Sequence, residues 1–135
     1  MKVESSVFDF SGLRAIVVED EPALLAVFQR NLTRAGIACQ VFADPDKALR
    51  EANFGECDFC LIDQGLPGMP GLKLAGIIKK TRSGIQIILI SGGQVPMDDL
   101  LKCTDSCLAK PFQRDELLRE IARILNLRQS SEAAA

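Results

Sequence analysis

The chain contains no histidine, no tryptophan and no tyrosine; its aromatic content is seven phenylalanines. Without histidine there is no imidazole base, no imidazole metal ligand and no phosphohistidine carried by this chain itself. Net charge is also small, at -2. With no basic surplus, the electrostatic, sequence-independent part of nucleic-acid binding has little to act through. No apolar run approaches the roughly 20 residues needed to cross a bilayer. The first twelve residues lack the apolar segment of a secretory signal. Hydrophobic residues at 47% and charged residues at 25% describe an ordinary globular protein. Its 135 residues suit one domain with a sizeable core.

Five cysteines is an odd number, which together with the missing export signal argues against a disulfide framework and for a reducing cytoplasm. Cys57-x-x-Cys60 and Cys103-x-x-x-Cys107 have spacings that could suit a metal. Cys60 and Cys107 lie in short apolar runs, so the cysteines read as small core hydrophobes.

Apolar runs and helical periodicities alternate. Arg14–Val18 reads as a buried strand, and Pro22 suits the first position of a helix whose apolar face is Leu24, Leu25, Phe28 and Leu32. Gly36 ends that helix, and strand two follows over Ile37–Phe42. Asp44-Pro45 starts a second helix running to about Ala52. Phe59–Ile62 is strand three, ending at Asp63, and the Gly/Pro-rich stretch 64–71 must be a loop. A third helix follows, with Leu74, Ile77 and Ile78 inward and Lys73, Lys79 and Lys80 outward. Gln86–Ile90 is strand four. Residues 96–102 allow only a short fourth helix, and Ser106–Ala109 is a weak fifth strand. The last helix, Gln113–Leu125, is strongly amphipathic, with Leu117, Leu118, Ile121, Ile124 and Leu125 facing in. Strands alternating with helices imply a doubly wound α/β fold, a parallel sheet covered on both faces. The expected organisation is an N-terminal extension over 1–12, one domain over 13–126 and a loose tail over 127–135.

In an open parallel sheet, ligands bind beyond the carboxyl ends of the strands. The first polar residues at those ends are Glu19 and Asp20, then Asp63, Ser91 and Lys110. Three carboxylates in one shallow site repel one another, and a hard divalent cation such as magnesium relieves that. With the cation present, Asp63 is the natural nucleophile toward a phosphoryl group. Lys110 would neutralise the developing charge and the Ser91 hydroxyl would donate to the transferring oxygens.

This pattern resembles the receiver domain of two-component response regulators, and of chemotaxis receivers within that group. The stretches that carry the resemblance are 15–22 (AIVVEDEP), 61–71 (LIDQGLPGMPG), 88–91 (ILIS) and 110–112 (KPF), and the likeness runs from about 13 to 126. The resemblance implies a flavodoxin-like sheet of order 2-1-3-4-5 with five helices. It assigns Asp63 as phosphoacceptor, Asp20 as a direct magnesium ligand and Glu19 as a partner acting largely through water. Gly65 would complete the metal site through its backbone carbonyl. Ser91 would move to meet the phosphate, Lys110 would bind it, and the Lys110-Pro111 bond would be cis. The implied partner is a histidine kinase or phosphotransfer protein that donates the phosphoryl group, with an output partner or domain downstream. Neither nucleic acid nor membrane is expected to be bound by this domain. It would be a cytoplasmic signalling module that promotes its own phosphorylation and dephosphorylation, with no external product.

Four departures from the family pattern stand out. Pro70 replaces a frequent Asp. Cys107 stands where a Tyr or Phe usually reports phosphorylation by turning inward. The segment from Ser91 to Lys110 is about three residues short, which costs the fourth helix most of a turn. Gly65 and Gly93 flank the phosphoryl position without the side chains that orient or block the attacking water elsewhere in the family. Cys107 and the short helix keep a second reading open, a phosphate-independent interaction module of the same fold. A haloacid-dehalogenase-like phosphatase would need an Asp-x-Asp after the first strand, where this chain has Glu19-Asp20-Glu21. A flavodoxin would need a hydroxyl-rich loop there, and this loop is acidic.

Overall fold

The structure, a computed structural model, describes residues 8–93, 95, 98 and 102–127. Five parallel strands form one sheet, in the order β2-β1-β3-β4-β5. They are β1 (Arg14–Val18), β2 (Ala38–Phe42), β3 (Phe59–Asp63), β4 (Gln86–Ser91) and β5 (Ser106–Ala109). The helices are α1 (Pro22–Arg34), α2 (Pro45–Glu51), α3 (Gly71–Thr81) and α4 (Arg114–Ile124), with a 3-10 turn at Phe54–Glu56. The strand order and the doubly wound flavodoxin-like architecture agree with the reading of the sequence. The short fourth helix expected over 96–102 lies largely outside the described residues, as do 1–7 and 128–135 of the expected extension and tail. The expected last helix is α4.

Side-chain alternation along the strands builds two cores. Ala15, Val17, Phe59, Leu61, Ile88, Ile90 and Leu108 face α1 and α4, meeting Phe28, Leu32, Leu117, Leu118 and Ile121. Ile16, Val18, Cys60, Ile62, Ile87 and Leu89 point the other way, onto Ala48 of α2 and Leu74, Ala75 and Ile78 of α3. Strands buried on both faces must be apolar at every position, which is why their sequences show no polar alternation. All five residues of β3 are buried.

Local chemistry sets the helix ends. Pro22 opens α1, and the chain leaves α1 through Gly36 at φ +96°, a conformation costly for any residue with a Cβ. The Asp44 side chain accepts from the Lys47 N–H at 2.9 Å and caps α2. Gln113 and Glu116 form a capping box at the start of α4.

Two placements differ from expectation. Lys79 was expected on the wet face of α3. Its ammonium instead reaches the Ile85 carbonyl at 2.6 Å and Asp105 at 2.8 Å, with the lysine side chain 19% exposed. Asp105 also accepts from the Ile87 N–H at 2.8 Å, so the lysine ties α3 to the start of β4. Cys107, expected among core hydrophobes, is exposed, while Cys60 is fully buried and Cys39, Cys57 and Cys103 are half-buried. Cys107 pairs in register with Leu89 on the edge strand β5, where it lacks the cover that α2 and α3 give the inner strands.

The segment before β1 joins the core. Phe10 is buried in the α1/α4 cluster, Phe8 packs beside it with ring centroids 6.1 Å apart, and the Leu13 N–H donates to the Phe10 carbonyl. Removing a buried phenyl ring costs about 3–5 kcal/mol. Phe10→Ala is therefore expected to lower unfolding free energy by about that amount in urea titrations; a loss below about 1 kcal/mol would show that this ring is not integral to the core.

Candidate functional site

Strand register assembles the site. Val18 pairs with Ile62, so the next step along both strands sets Glu19 beside Asp63. Ser91 pairs with Ala109, and Lys110 follows directly. Backbone bonds hold these exits in place: Glu19 N–H to the Phe42 carbonyl, Gln64 N–H to the Ile90 carbonyl and Lys110 N–H to the Ser91 carbonyl, at 2.8–3.0 Å. The result is a cleft of about 450 Å³ at the carboxyl edge of the sheet, lined by Glu19, Asp20, Asp63, Gly65, Ser91 and Lys110 among others. All six residues singled out in the sequence meet there.

Glu19 and Asp63 are buried, at 1% and 5% exposure, while Asp20 is exposed. The Lys110 ammonium donates to Asp63 Oδ1 at 2.7 Å and stands 3.8 Å from Glu19 Oε1. Asp63 Oδ2 accepts the Gly65 N–H at 3.0 Å, and Glu19 Oε2 accepts the Glu21 N–H at 3.2 Å. Burial pushes the Glu19 carboxyl above its usual range; the Glu21 N–H opposes this, and the Asp63 charge adds to it. The Lys110 ammonium is pulled down by burial, but the hydrogen bond to Asp63 and the charges of Glu19, Asp63 and Glu21 together hold it above its usual range.

The site fits a divalent cation on its own chemistry. One oxygen from each of Glu19, Asp20 and Asp63 lies within 4.8 Å of the others, the one such group of three acidic or sulfur ligands among the described residues. Glu19 Oε1 is buried and accepts no hydrogen bond. A buried carboxylate oxygen without a donor costs free energy, and a hard cation with its waters is the kind of partner that removes that cost.

Other residues shape the site without having been singled out for it. Gln64 Oε1 accepts the Leu72 N–H at 2.7 Å and the Gly71 N–H donates to the Gln64 carbonyl at 3.0 Å, folding the loop after β3 back on itself. A Cβ on Gly71 would overlap the Asp63 carbonyl, so only glycine lets α3 start this close behind Asp63. The glycine-rich loop signalled a turn in the sequence, but nothing local showed that the backbone of Asp63 would fill the space. Ser91 faces its own loop: its hydroxyl donates to the Gly93 carbonyl at 2.9 Å and accepts the Gly93 N–H at 3.1 Å. The Lys110-Pro111 peptide is cis, as the resemblance implied, and carries the chain to Phe112, which stacks on Phe28 of α1 with centroids 5.6 Å apart. A Cβ on Gly93 would meet nothing within 4 Å, and one on Gly65 would touch Asp63 Oδ2 at 3.4 Å. The mouth of the cleft is thus open at Gly93, while at Gly65 a side chain would start in contact with Asp63.

Fold and acidic cleft together define a signalling domain of the two-component type. The family model for the response regulator receiver domain matches residues 15–122, and the chain belongs to that family. It is 31% identical over 119 residues to the transcriptional regulatory protein TcrA of Mycobacterium tuberculosis, covering 84% of this chain and 47% of that protein. The chain spans about half the length, or less, of the curated relatives it matches. Among solved structures it is similar to the response regulator TrrA of Thermotoga maritima in complex with Mg2+-BeF, at 28% identity and a TM-score of 0.75, covering 83% of this chain and 98% of that one. It is equally similar to the receiver domain of the sensor histidine kinase PA1611 of Pseudomonas aeruginosa PAO1, with a magnesium ion coordinated in its active site cleft, at 28% identity and a TM-score of 0.74, covering 86% and 99%. Magnesium binding and aspartyl phosphorylation are general to the family. No described helix is long and apolar enough to cross a membrane.

The buried Glu19 charge makes a stability prediction. Because its folded-state value is raised, the folded chain holds this proton more tightly than the unfolded chain. Stability is therefore lost as pH rises from the ordinary value of 4.5 through the folded value, and the full penalty stands above it. In EDTA, Glu19→Gln is expected to melt higher than the parent near neutral pH, with the gain shrinking as pH falls toward 4.5. A lower melting temperature for the variant at neutral pH would show that the Glu19 charge is stabilising after all.

Proposed function

We propose that this domain accepts a phosphoryl group on Asp63 from the phosphohistidine of a histidine kinase or phosphotransfer protein, and that the resulting change of state is read by a partner or output domain. The observation that carries this reading is the set of contacts on Asp63. The carboxylate is nearly buried, oriented by the Gly65 N–H and Lys110, and open to solvent only along the cleft.

In the transfer, a carboxylate oxygen of Asp63 bonds to phosphorus while the phosphorus–nitrogen bond to the donor imidazole breaks. The imidazole leaves with the bonding pair and takes up a proton, and an acyl phosphate remains. Asp20 and Asp63 would hold magnesium directly, with the Gly65 carbonyl, and Glu19 would act through water. When bound, the ion would supply electrostatic neutralisation of the phosphoryl oxygens. Lys110, 30% exposed and at the end of a flexible stem, shifts its ammonium from Asp63 Oδ1 to an incoming phosphoryl oxygen. Ser91 must release the hydrogen bond it donates to the Gly93 carbonyl to donate to the same group. The loop 91–93 is therefore the first element whose conformation depends on the phosphoryl group.

One observation favours the phosphate-independent reading. Cys107, at the position of the usual aromatic, is small and exposed, so no bulky side chain at that position of β5 is available to follow Ser91 inward.

Acetyl phosphate and magnesium are expected to add one phosphoryl group by intact mass, labile to hydroxylamine and lost in Asp63→Asn. Uptake by the asparagine variant equal to that of the parent would remove Asp63 as acceptor, and no uptake by the parent would favour the phosphate-independent module. Magnesium affinity is expected to be modest, because few protein ligands are supplied and waters are retained. In calorimetry Asp20→Ala should lose more affinity than Glu19→Ala, and the opposite order would exchange the direct and water-mediated roles.

A further inference from the structure

At the opposite edge of the sheet from the acidic cleft, the chain entering β3 brings two cysteine sulfurs together. Cys57 Sγ and Cys60 Sγ are 4.0 Å apart, a contact between side chains that converge although two residues separate them. Cys57 follows the 3-10 turn in extended backbone, and a bend at Asp58 swings the chain into β3. Cys57 is half-buried and lines a cavity of about 120 Å³, together with Arg14, Cys39, Asn53 and Glu56. That is room for a few water-sized molecules. Cys60 lies behind it, fully buried in the core that faces α2 and α3. Cys57 thus lines a space that a small solute can enter, while Cys60 is shielded from solvent.

We propose that Cys57 and Cys60 form an oxidant-sensitive dithiol, in which hydrogen peroxide entering the cavity oxidises Cys57 and Cys60 resolves it as an intramolecular disulfide. In the first step the Cys57 thiolate attacks the peroxide. The oxygen–oxygen bond breaks, one oxygen stays on sulfur as a sulfenic acid, and the other leaves as hydroxide, which is protonated to water. In the second step Cys60 sulfur bonds to Cys57 sulfur, and the sulfenic hydroxyl departs with the Cys60 proton as a second water. Two thiols lose two electrons and the peroxide gains them.

The environment sets Cys57 apart from Cys60, Cys39 and Cys107. The Cys60 thiol beside it holds Cys57 below its usual range, against the burial that pushes the other way, and the same pairing together with burial holds Cys60 above its range. Burial pushes Cys39, in the same cavity, upward, and does the same to Cys107. Closing the bond needs the sulfurs to approach from 4.0 Å to the roughly 2 Å of a disulfide. Cys57 gives up its hydrogen bond to the Phe59 carbonyl, 3.0 Å away, to make that approach.

The test is peptide mapping of the full chain after limiting hydrogen peroxide. Trypsin releases residues 51–73 as one peptide that contains Cys57 and Cys60 and no other cysteine. That peptide is expected to become lighter by two hydrogens before the peptides of Cys39, Cys103 or Cys107 change, and dithiothreitol should reverse it. In Cys60→Ala, Cys57 should stop at the sulfenic acid and add one dimedone. The proposal is overturned if fragmentation places added oxygen on Cys57 or Cys60 rather than on Met69 in the parent, if another cysteine reacts first, if the product is a disulfide between two chains, or if the pair closes as readily in denaturant. The parent measurement decides the matter even where the alanine variant fails to fold.

Discussion

Parallel pairing is the constraint from which the rest follows. A parallel strand cannot be reached by a tight turn, so a connection must cross a face of the sheet and return to the same starting edge, as α1, α2 and α3 do. All five strands therefore exit at one edge, and whatever polar residue ends each apolar run is delivered there. Helices on both faces bury β3 completely, which anchors the Asp63 backbone in the core. The cleft is chemically varied because its residues come from four strand ends, and geometrically fixed because each exit is held by a backbone bond to its neighbour.

The same arrangement places charge where the fold by itself gains nothing from it. Glu19 is as buried as the valines before it, yet one of its oxygens has no donor and its charge is opposed by burial and by Asp63. Lys110 offsets part of this through Asp63 and stands too far from Glu19 for a hydrogen bond. A site of this kind is stabilised by what binds to it, whether a cation or, beyond the cation, a phosphoryl group. The lysine and Ser91 are both engaged with local partners that a bound group would have to replace.

Away from the cleft, the chain diverges from what its family resemblance alone would lead one to expect. Phe8 and Phe10 extend the α1/α4 core beyond the first strand, so the segment before β1 packs as part of the domain. On β5 the exposed Cys107 leaves the edge strand with a small side chain, and Phe112, stacked on Phe28, is the aromatic tied most directly to the Lys110 loop. The converging sulfurs of Cys57 and Cys60 lie at the sheet's other edge, remote from Asp63 along β3, so redox chemistry there and phosphoryl chemistry in the cleft can be separated experimentally.

By itself the sequence determined the alternation of strands and helices, the doubly wound class and the cleft residues, because each is written locally. An apolar run ends at a polar residue, Pro22 and Asp44 start helices, and Gly36 stops one. Only the tertiary structure decided the rest, since it depends on which distant backbone occupies a given space. Lys79 left the wet face of α3 because Asp105 and the Ile85 carbonyl, separate in sequence, converge on it. Gly71 is required by the carbonyl of Asp63 rather than by its own turn. Cys60 is buried and Cys107 exposed although both sit in apolar runs, because burial in a sheet is set by a strand's position and by the helix above it, and neither is encoded in the run itself.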